Sequence, residues 1–200
     1  MSAVAPLAGL VLAGGHSKRM QRDKAALDVG GESQLARAMR LVREQAAESF
    51  VSVRADQRLE SERARWPQIV DRLADRGPAA GILAALEQRP DRAWLVVAVD
   101  LALLDAATLA HLVRARDPAA LATAYRAADS GLPEPLCAIW EPRSRGPLAA
   151  FIDSGRDCPR KFLLTHGATL VDLQAPEALA NVNTPDEYAS ARARAARGAA

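Results

Sequence analysis

The 200-residue sequence predicts a single Rossmann-like, three-layer α/β domain, with a mostly parallel sheet and helices on both of its faces. Three observations predict it. Short apolar runs alternate with helix-like stretches at intervals of roughly thirty residues. One run, Trp94-Leu95-Val96-Val97-Ala98-Val99, is apolar at every position, as a central parallel strand covered on both faces must be. The runs also stop abruptly, at Gly14-Gly15, Asp71 and Asp100, and in open α/β sheets ligands bind outside the carboxyl ends of the strands.

Taken in order, Leu10-Val11-Leu12-Ala13 reads as a buried strand that Gly14-Gly15 ends. Leu35, Ala38, Met39 and Val42 recur at helical spacing and predict a helix over 34–48. Phe50 to Val53 returns to strand character. The charged stretch from Gln57 to Trp66 is helix-like, and Pro67 stops it. Gln68-Ile69-Val70 forms a short strand ending in Asp71. Pro78 stands where a helix can begin, and Ala79 to Glu87 is rich in helix formers. After the Trp94–Val99 strand come a helix over 106–116, a strand near 119–124, a strand over 136–140, a helix over 145–154 and a strand over 168–172. Thr184 and Glu187 have capping-box spacing with Pro185 between them, so a last helix starts there, and the Arg/Ala-rich tail 189–200 is expected to fray. No linker is long enough to split the chain, which predicts one domain over 1–200.

Composition removes several function classes. A net charge of +2 with 4% aromatic residues supplies neither a basic stripe nor stacking platforms, which argues against a nucleic-acid partner. The longest early apolar run, Leu7–Ala13, is too short to span a bilayer and has no basic residue before it, so no membrane partner and a cytoplasmic location are expected. Cys137 and Cys158 form no C-x-x-C pair and are expected to be reduced thiols. His16, His111 and His166 lack metal-ligand spacing, and no Ser-His-Asp order suggests a hydrolase.

Four segments carry chemistry. In Leu12-Ala13-Gly14-Gly15-His16-Ser17-Lys18-Arg19-Met20, continuing to Asp23 and Lys24, glycines after a buried strand let the backbone approach a ligand closely. Ser17, Lys18, Arg19 and Lys24 add a hydroxyl and three cations, a donor set suited to a triphosphate. The pattern is neither a Walker A sequence nor G-x-G-x-x-G, and an ordinary turn with solvated cations would read the same way. Asp100, at the end of its strand, can coordinate Mg²⁺ or can cap the helix beginning near Asp105. Asp71, ahead of Gly77-Pro78-Ala79-Ala80-Gly81, can accept hydrogen bonds from a ribose or a base, or can belong to a turn and helix start. In Asn181-Val182-Asn183-Thr184-Pro185 the alternate asparagines point the same way, whereas capping alone explains Thr184.

Together these segments resemble the molybdenum cofactor guanylyltransferase family, within the glycosyltransferase-A-like nucleotidyltransferases. The likeness rests on Leu12-Ala13-Gly14-Gly15-x-Ser17-x-Arg19-Met20 with Asp23-Lys24, on Asp71 before Gly77-Pro78-x-Ala80-Gly81, and on Asp100. It extends to Pro135-Leu136-Cys137-Ala138-Ile139-Trp140 and to Asn181-Val182-Asn183-Thr184-Pro185. Three positions depart from the family pattern: Gln21 replaces a glycine, Ala102 a proline, and Arg54 stands near a usual asparagine.

The resemblance implies that Leu12, Ala13, Gly14, Gly15, Lys24, Asp71 and Asp100 hold GTP. It also implies that Asp100 binds Mg²⁺ and that Asn181 and Asn183 lie on the pterin side. Arg19, Lys24 and Asp100 are then the catalytic set, balancing the charge of the triphosphate. Leu-Ala-Gly-Gly, rather than the Leu-Ala-Ala-Gly of cytidylyl relatives, points to guanine. The implied reaction attaches GMP from GTP to the terminal phosphate of molybdopterin and releases pyrophosphate. Proteins that donate or receive the cofactor are its implied transient partners. Transfer of CMP to molybdopterin, or of a nucleotide to a sugar phosphate, is the alternative, as is a GTP-binding protein whose catalysis has decayed.

Overall fold

The structure, a computed structural model, describes residues 4–14, 24–29, 31–71, 73, 76–127 and 129–180; for Lys24, Asp28, Val29 and Pro176 it describes the backbone alone. Strand β1 (Leu7–Leu12) leads through a one-turn 3-10 helix at Lys24–Ala26 to a small hairpin, β2 (Asp28–Val29) and β3 (Glu32–Ser33), and then to helix α1 (Gln34–Arg43). There follow β4 (Glu48–Arg54), α2 (Ser61–Ala64), β5 (Gln68–Asp71), α3 (Gly77–Gln88), β6 (Ala93–Ala98) and α4 (Ala106–Arg114). The remainder is β7 (Ala122–Arg126), β8 (Pro133–Trp140), α5 (Arg145–Asp153), α6 (Pro159–His166) and β9 (Thr169–Asp172).

Seven strands form one sheet in the order β5-β4-β1-β6-β8-β7-β9. All its neighbours pair parallel except those flanking β8, which runs against the rest. The mostly parallel α/β sheet expected from the sequence is therefore present. β6 is central and buried at every residue, but it is parallel only to β1 and antiparallel to β8. The reason lies in the connection. Residues 127–132 are too few for a crossover, so β7 and β8 form a hairpin, closed by the Ala127 N–H on the Leu132 carbonyl at 2.8 Å. The reversal brings the first residues of β8 to the sheet edge where the other strands end.

Alternate residues of each strand point to opposite faces, and each face has its own core. On one, Val11, Val51, Val53, Leu95 and Val97 pack against Met39 and Val42 of α1 and Leu109 and Leu112 of α4. On the other, Leu10, Trp94, Val96 and Trp140 pack against α3, α5 and α6 through Ile82, Leu86, Leu148, Phe151 and Phe162. Gly81 sits where α3 presses on the sheet: a Cβ there would lie 2.5 Å from Ser52 Oγ and 3.1 Å from Leu12 Cδ2. The glycine of the Gly77–Gly81 segment thus has a packing role, letting a helix backbone approach β1 and β4 closely.

Several elements depart from expectation. α1 ends at Arg43 rather than 48, where the Glu44 N–H closes on the Arg40 and Val42 carbonyls and β4 begins four residues later. The expected 57–66 helix shrinks to α2, preceded by a 3-10 turn at Ala55–Gln57. Its polar residues are turned inward: Gln57 and Arg63 are buried, and they bond to backbone at the ends of β4 and β1. The strand near 119–124 begins at Ala122, because the Asp117 carboxylate accepts the Ala119 N–H at 2.9 Å and holds residues 117–120 in a turn. α6 has no counterpart among the helices expected from the sequence; Pro159 in its first turn and Gly167 at its C-cap, with φ of 90°, are local signals for it. The proposed last helix and tail lie outside the described residues.

At the end of the sheet opposite the carboxyl ends of the parallel strands, Arg116 clasps Glu141. Its Nε and Nη2 donate to the two carboxylate oxygens at 2.6 and 2.9 Å, and Nη2 also reaches the Ala5 carbonyl at 2.8 Å. This pair joins the residues after α4, the residue after β8 and the lead-in to β1. Among the described residues, no helix is long and apolar enough to cross a membrane.

Candidate nucleotide site

Strand register builds the site. Leu12 pairs with Ser52 on one side and Ala98 on the other, and Ser52 pairs with Ile69. Two residues further along, the chain carries Gly14 after β1, Arg54 and Asp71 at the ends of β4 and β5, and Asp100 after β6. The strand ends therefore come in the order Asp71-Arg54-Gly14-Asp100 along one edge of the sheet: Arg54 and Asp71 are paired, Gly14 lies beside Arg54, and Asp100 follows the last paired residue of β6 by two. In the sequence, Gly14, Asp71 and Asp100 stand out separately, each at the end of its own strand. The sheet makes them neighbours.

Ladder-type bonds extend past β1. The Ala13 N–H donates to the Ser52 carbonyl at 3.2 Å, and the Val99 N–H donates to the Leu12 carbonyl at 3.1 Å. Leu12 is half-buried and Ala13 fully buried, so both act here through their backbone. Gly14 leaves the sheet beside Arg54; a Cβ on it would stand 3.4 Å from Arg54 Cγ and 3.6 Å from Gln57 Oε1. Arg54, the departure from the family's asparagine, has its Nε on Asp56 Oδ1 at 3.0 Å and a closer Nη2 contact to Asp56 Oδ2.

Asp71 accepts the Leu73 N–H at 2.8 Å. Burial pushes its carboxyl above the ordinary range, against smaller opposing pulls from the Leu73 N–H and the Arg54 charge. Asp100 lies in a turn where its carbonyl accepts the Ala102 N–H at 3.0 Å, a bond that the family's proline could not donate. The cap of α4 is Asp105, whose carboxylate accepts the Thr108 N–H at 2.7 Å. Helix capping therefore does not account for Asp100.

Sequence reasoning missed Arg63. Its side chain is 1% exposed, and it donates from Nε and Nη2 to the Ala13 carbonyl at 3.0 and 2.7 Å while Nη1 contacts Glu60. In the sequence it is one of several charges in a polar stretch, and nothing local distinguishes a buried arginine from a solvated one. Further along the same sheet edge, Arg160 holds Glu134 at the start of β8 at 2.8 Å, and Arg126 meets Asp172 at 3.1 Å.

Gly15, Arg19, Asn181 and Asn183 lie outside the described residues, as do Ser17, Lys18, Gln21 and Asp23. Lys24 begins the 3-10 turn that re-enters the core at Ala25. His111 sits in the last turn of α4 with Nδ1 3.1 Å from the Tyr125 hydroxyl, and His166 ends α6 stacked on Phe162. Both cysteines are free, and full burial raises the Cys137 pKa, so its thiol stays protonated.

Among the described residues, no group of three or more His, Cys, Asp or Glu side chains could hold a metal. A hard oxygen donor such as Asp100 beside a backbone loop instead fits Mg²⁺, which characteristically takes one or two carboxylates and completes its shell with substrate phosphates and water.

Residues 9–171 match the family described as the MobA-like NTP transferase domain. The chain belongs to that family. The molybdenum cofactor guanylyltransferase of Rhizobium johnstonii is 35% identical over 200 residues, covering 92% of this chain and 91% of the relative. The molybdenum cofactor biosynthesis bifunctional protein of Synechocystis sp. is 33% identical over 183 residues, which is 92% of this chain and 53% of that protein. The chain thus spans about half the length of this second relative. Among solved structures, molybdopterin-guanine dinucleotide biosynthesis protein A from Archaeoglobus fulgidus superposes with a TM-score of 0.77 at 21% identity, covering 95% of this chain and 99% of that one. The Archaeoglobus fulgidus protein thus shares this arrangement of helices and strands.

Proposed function

We propose that the protein transfers GMP from GTP to the terminal phosphate of molybdopterin and releases pyrophosphate. The observation that carries this reading is the row Asp71-Arg54-Gly14-Asp100, which spreads two carboxylates to either side of a backbone loop at the edge of four adjacent strands. Identity of 35% to a protein named for guanylyl transfer supports the same substrate.

The residues divide the work by position. Gly14 and Gly15 offer backbone groups to the nucleotide from the point where Leu12 and Ala13 release the chain from the sheet, and Arg19 and Lys24 supply positive charge to its phosphates. Asp71, on the other side of Arg54, accepts hydrogen bonds from the ribose or base. Asp100 would hold Mg²⁺, which when bound neutralises charge on the triphosphate. The pterin-side role of Asn181 and Asn183 rests on the sequence resemblance. The attacking phosphate monoester has its second pKa near 6 and is largely ionised at neutral pH, so the chain needs no general base and works by alignment.

Calorimetric titration with GTP, CTP and ATP, with and without Mg²⁺, tests the reading. Selective GTP binding strengthened by Mg²⁺ is expected, followed by pyrophosphate release when molybdopterin is added. Preference for CTP would change the product, and no nucleotide binding would refute the reading.

Asp71 gives a second expectation. Its pKa is raised in the folded state, so its contribution to stability is fully present below the unfolded pKa and is lost as pH rises through the folded pKa. Above the folded pKa the ionised group therefore opposes folding. Asp71→Asn is expected to keep or slightly raise Tm at pH 7 while weakening GTP binding about tenfold, since a charged acceptor is replaced by a neutral one. A drop in Tm with GTP affinity unchanged would reverse both assignments.

A further inference from the structure

We propose that Arg63 is a positioning residue for the nucleotide loop: by gripping the Ala13 carbonyl it orients the Ala13–Gly14 peptide and thereby sets affinity for GTP. The inference rests on the reading above and adds a residue that touches no substrate.

The grip is unusual in its chemistry. Arg63 is 1% exposed, and two of its N–H groups converge on one carbonyl at 3.0 and 2.7 Å. Burying a guanidinium is costly, and a well-packed apolar residue often serves stability as well or better, so packing alone is a weak reason for it. The peptide plane supplies a stronger one. In a trans peptide the C=O and the following N–H point in opposite directions, so holding the Ala13 carbonyl towards Arg63 turns the Gly14 N–H to the opposite side. Two charge-assisted bonds on the carbonyl also polarise that peptide, making its N–H a better donor to an anion.

α2, which carries Arg63, also secures the other end of the loop. It packs against the Lys24–Ala26 turn, where Ala25 is fully buried. Glu62, beside Arg63, accepts the Ser33 hydroxyl proton at 2.7 Å, and Ser33 caps α1 through the Ala36 N–H. The Gln34 N–H donates to the Leu27 carbonyl at 2.7 Å and fixes the chain just past the turn. One four-residue helix thus anchors both the point where the chain leaves β1 and the point where it returns with Lys24.

The test compares wild type, Arg63→Met, Arg63→Lys and Glu141→Gln, a comparator at the opposite end of the sheet, by GTP titration, steady-state kinetics and thermal melts. Arg63→Met is expected to weaken GTP binding about tenfold or more, raising KM for GTP while KM for molybdopterin is unchanged. Arg63→Lys keeps the charge but not the fork, so its GTP affinity should fall in between, and it keeps the test open if the methionine variant does not fold. Glu141→Gln should lose stability and keep wild-type GTP affinity. The proposal is overturned if a folded Arg63 variant binds GTP like wild type, or if both KM values rise together as Tm falls. Absence of GTP binding by the wild type would instead remove the guanylyltransferase reading, and this inference with it.

Discussion

Asp100→Ala is expected to lower turnover on the order of 10³-fold while leaving the protein folded. Neutralising charge on a transferring phosphoryl group is worth several kcal/mol, and each 1.4 kcal/mol or so is tenfold in rate. The turn that carries Asp100 is closed by backbone bonds, from the Ala102 N–H to the Asp100 carbonyl and from the Leu104 N–H to the Leu101 carbonyl. Truncating the side chain leaves both. Pyrophosphate release at saturating Mg²⁺, GTP and molybdopterin measures the effect, with a thermal melt alongside. Asp105→Ala should show the reverse pattern, losing about 1 kcal/mol with the α4 cap but keeping turnover. Wild-type turnover from Asp100→Ala would remove that residue from the chemistry.

Glu141→Ala is expected to be the most destabilising substitution, at about 3–5 kcal/mol, because it strands a buried arginine. Glu141 is 2% exposed and the Arg116 side chain 12%, so water cannot readily take the carboxylate's place. Only the Ala5 carbonyl would remain to Arg116 among the partners described above. In a chain of this length the loss corresponds to a fall in Tm of about 10 °C. Replacing both residues, as Arg116→Met with Glu141→Leu, should recover much of it, since a buried pair exchanged for apolar side chains is often near neutral. A double variant no more stable than Glu141→Ala would mean that the charges themselves organise this end of the sheet.

Much of the fold was legible because strand and helix patterns are local. The apolar run Trp94–Val99 falls on β6 (Ala93–Ala98), Gln68–Val70 lies in β5 (Gln68–Asp71), and Pro78 stands in the first turn of α3. The candidate site was legible as far as its members follow strands. Gly14, Asp71 and Asp100 were recognisable in that way, and the register then set them in a row. The departures have two causes. Arg63 is buried because its side chain finds its partner at the end of a strand distant in the sequence, whereas β7 starts late because of a local turn at Asp117. The alternative reading of Asp100 as a helix cap failed because the cap geometry belongs to Asp105.

The sequence by itself determined the α/β class, the strand ends at which the candidate site lies, and the motif residues that carry the resemblance to the family. These follow from apolar periodicity and from glycines and carboxylates at strand ends, which act over a few residues. Only the tertiary structure decided that β8 runs backwards, that Asp71 and Asp100 flank Arg54 and Gly14, and that Arg63 reaches fifty residues back to the Ala13 carbonyl. Pairing partners and burial depend on which distant segments pack together, and that is a property of the folded chain rather than of any stretch of it.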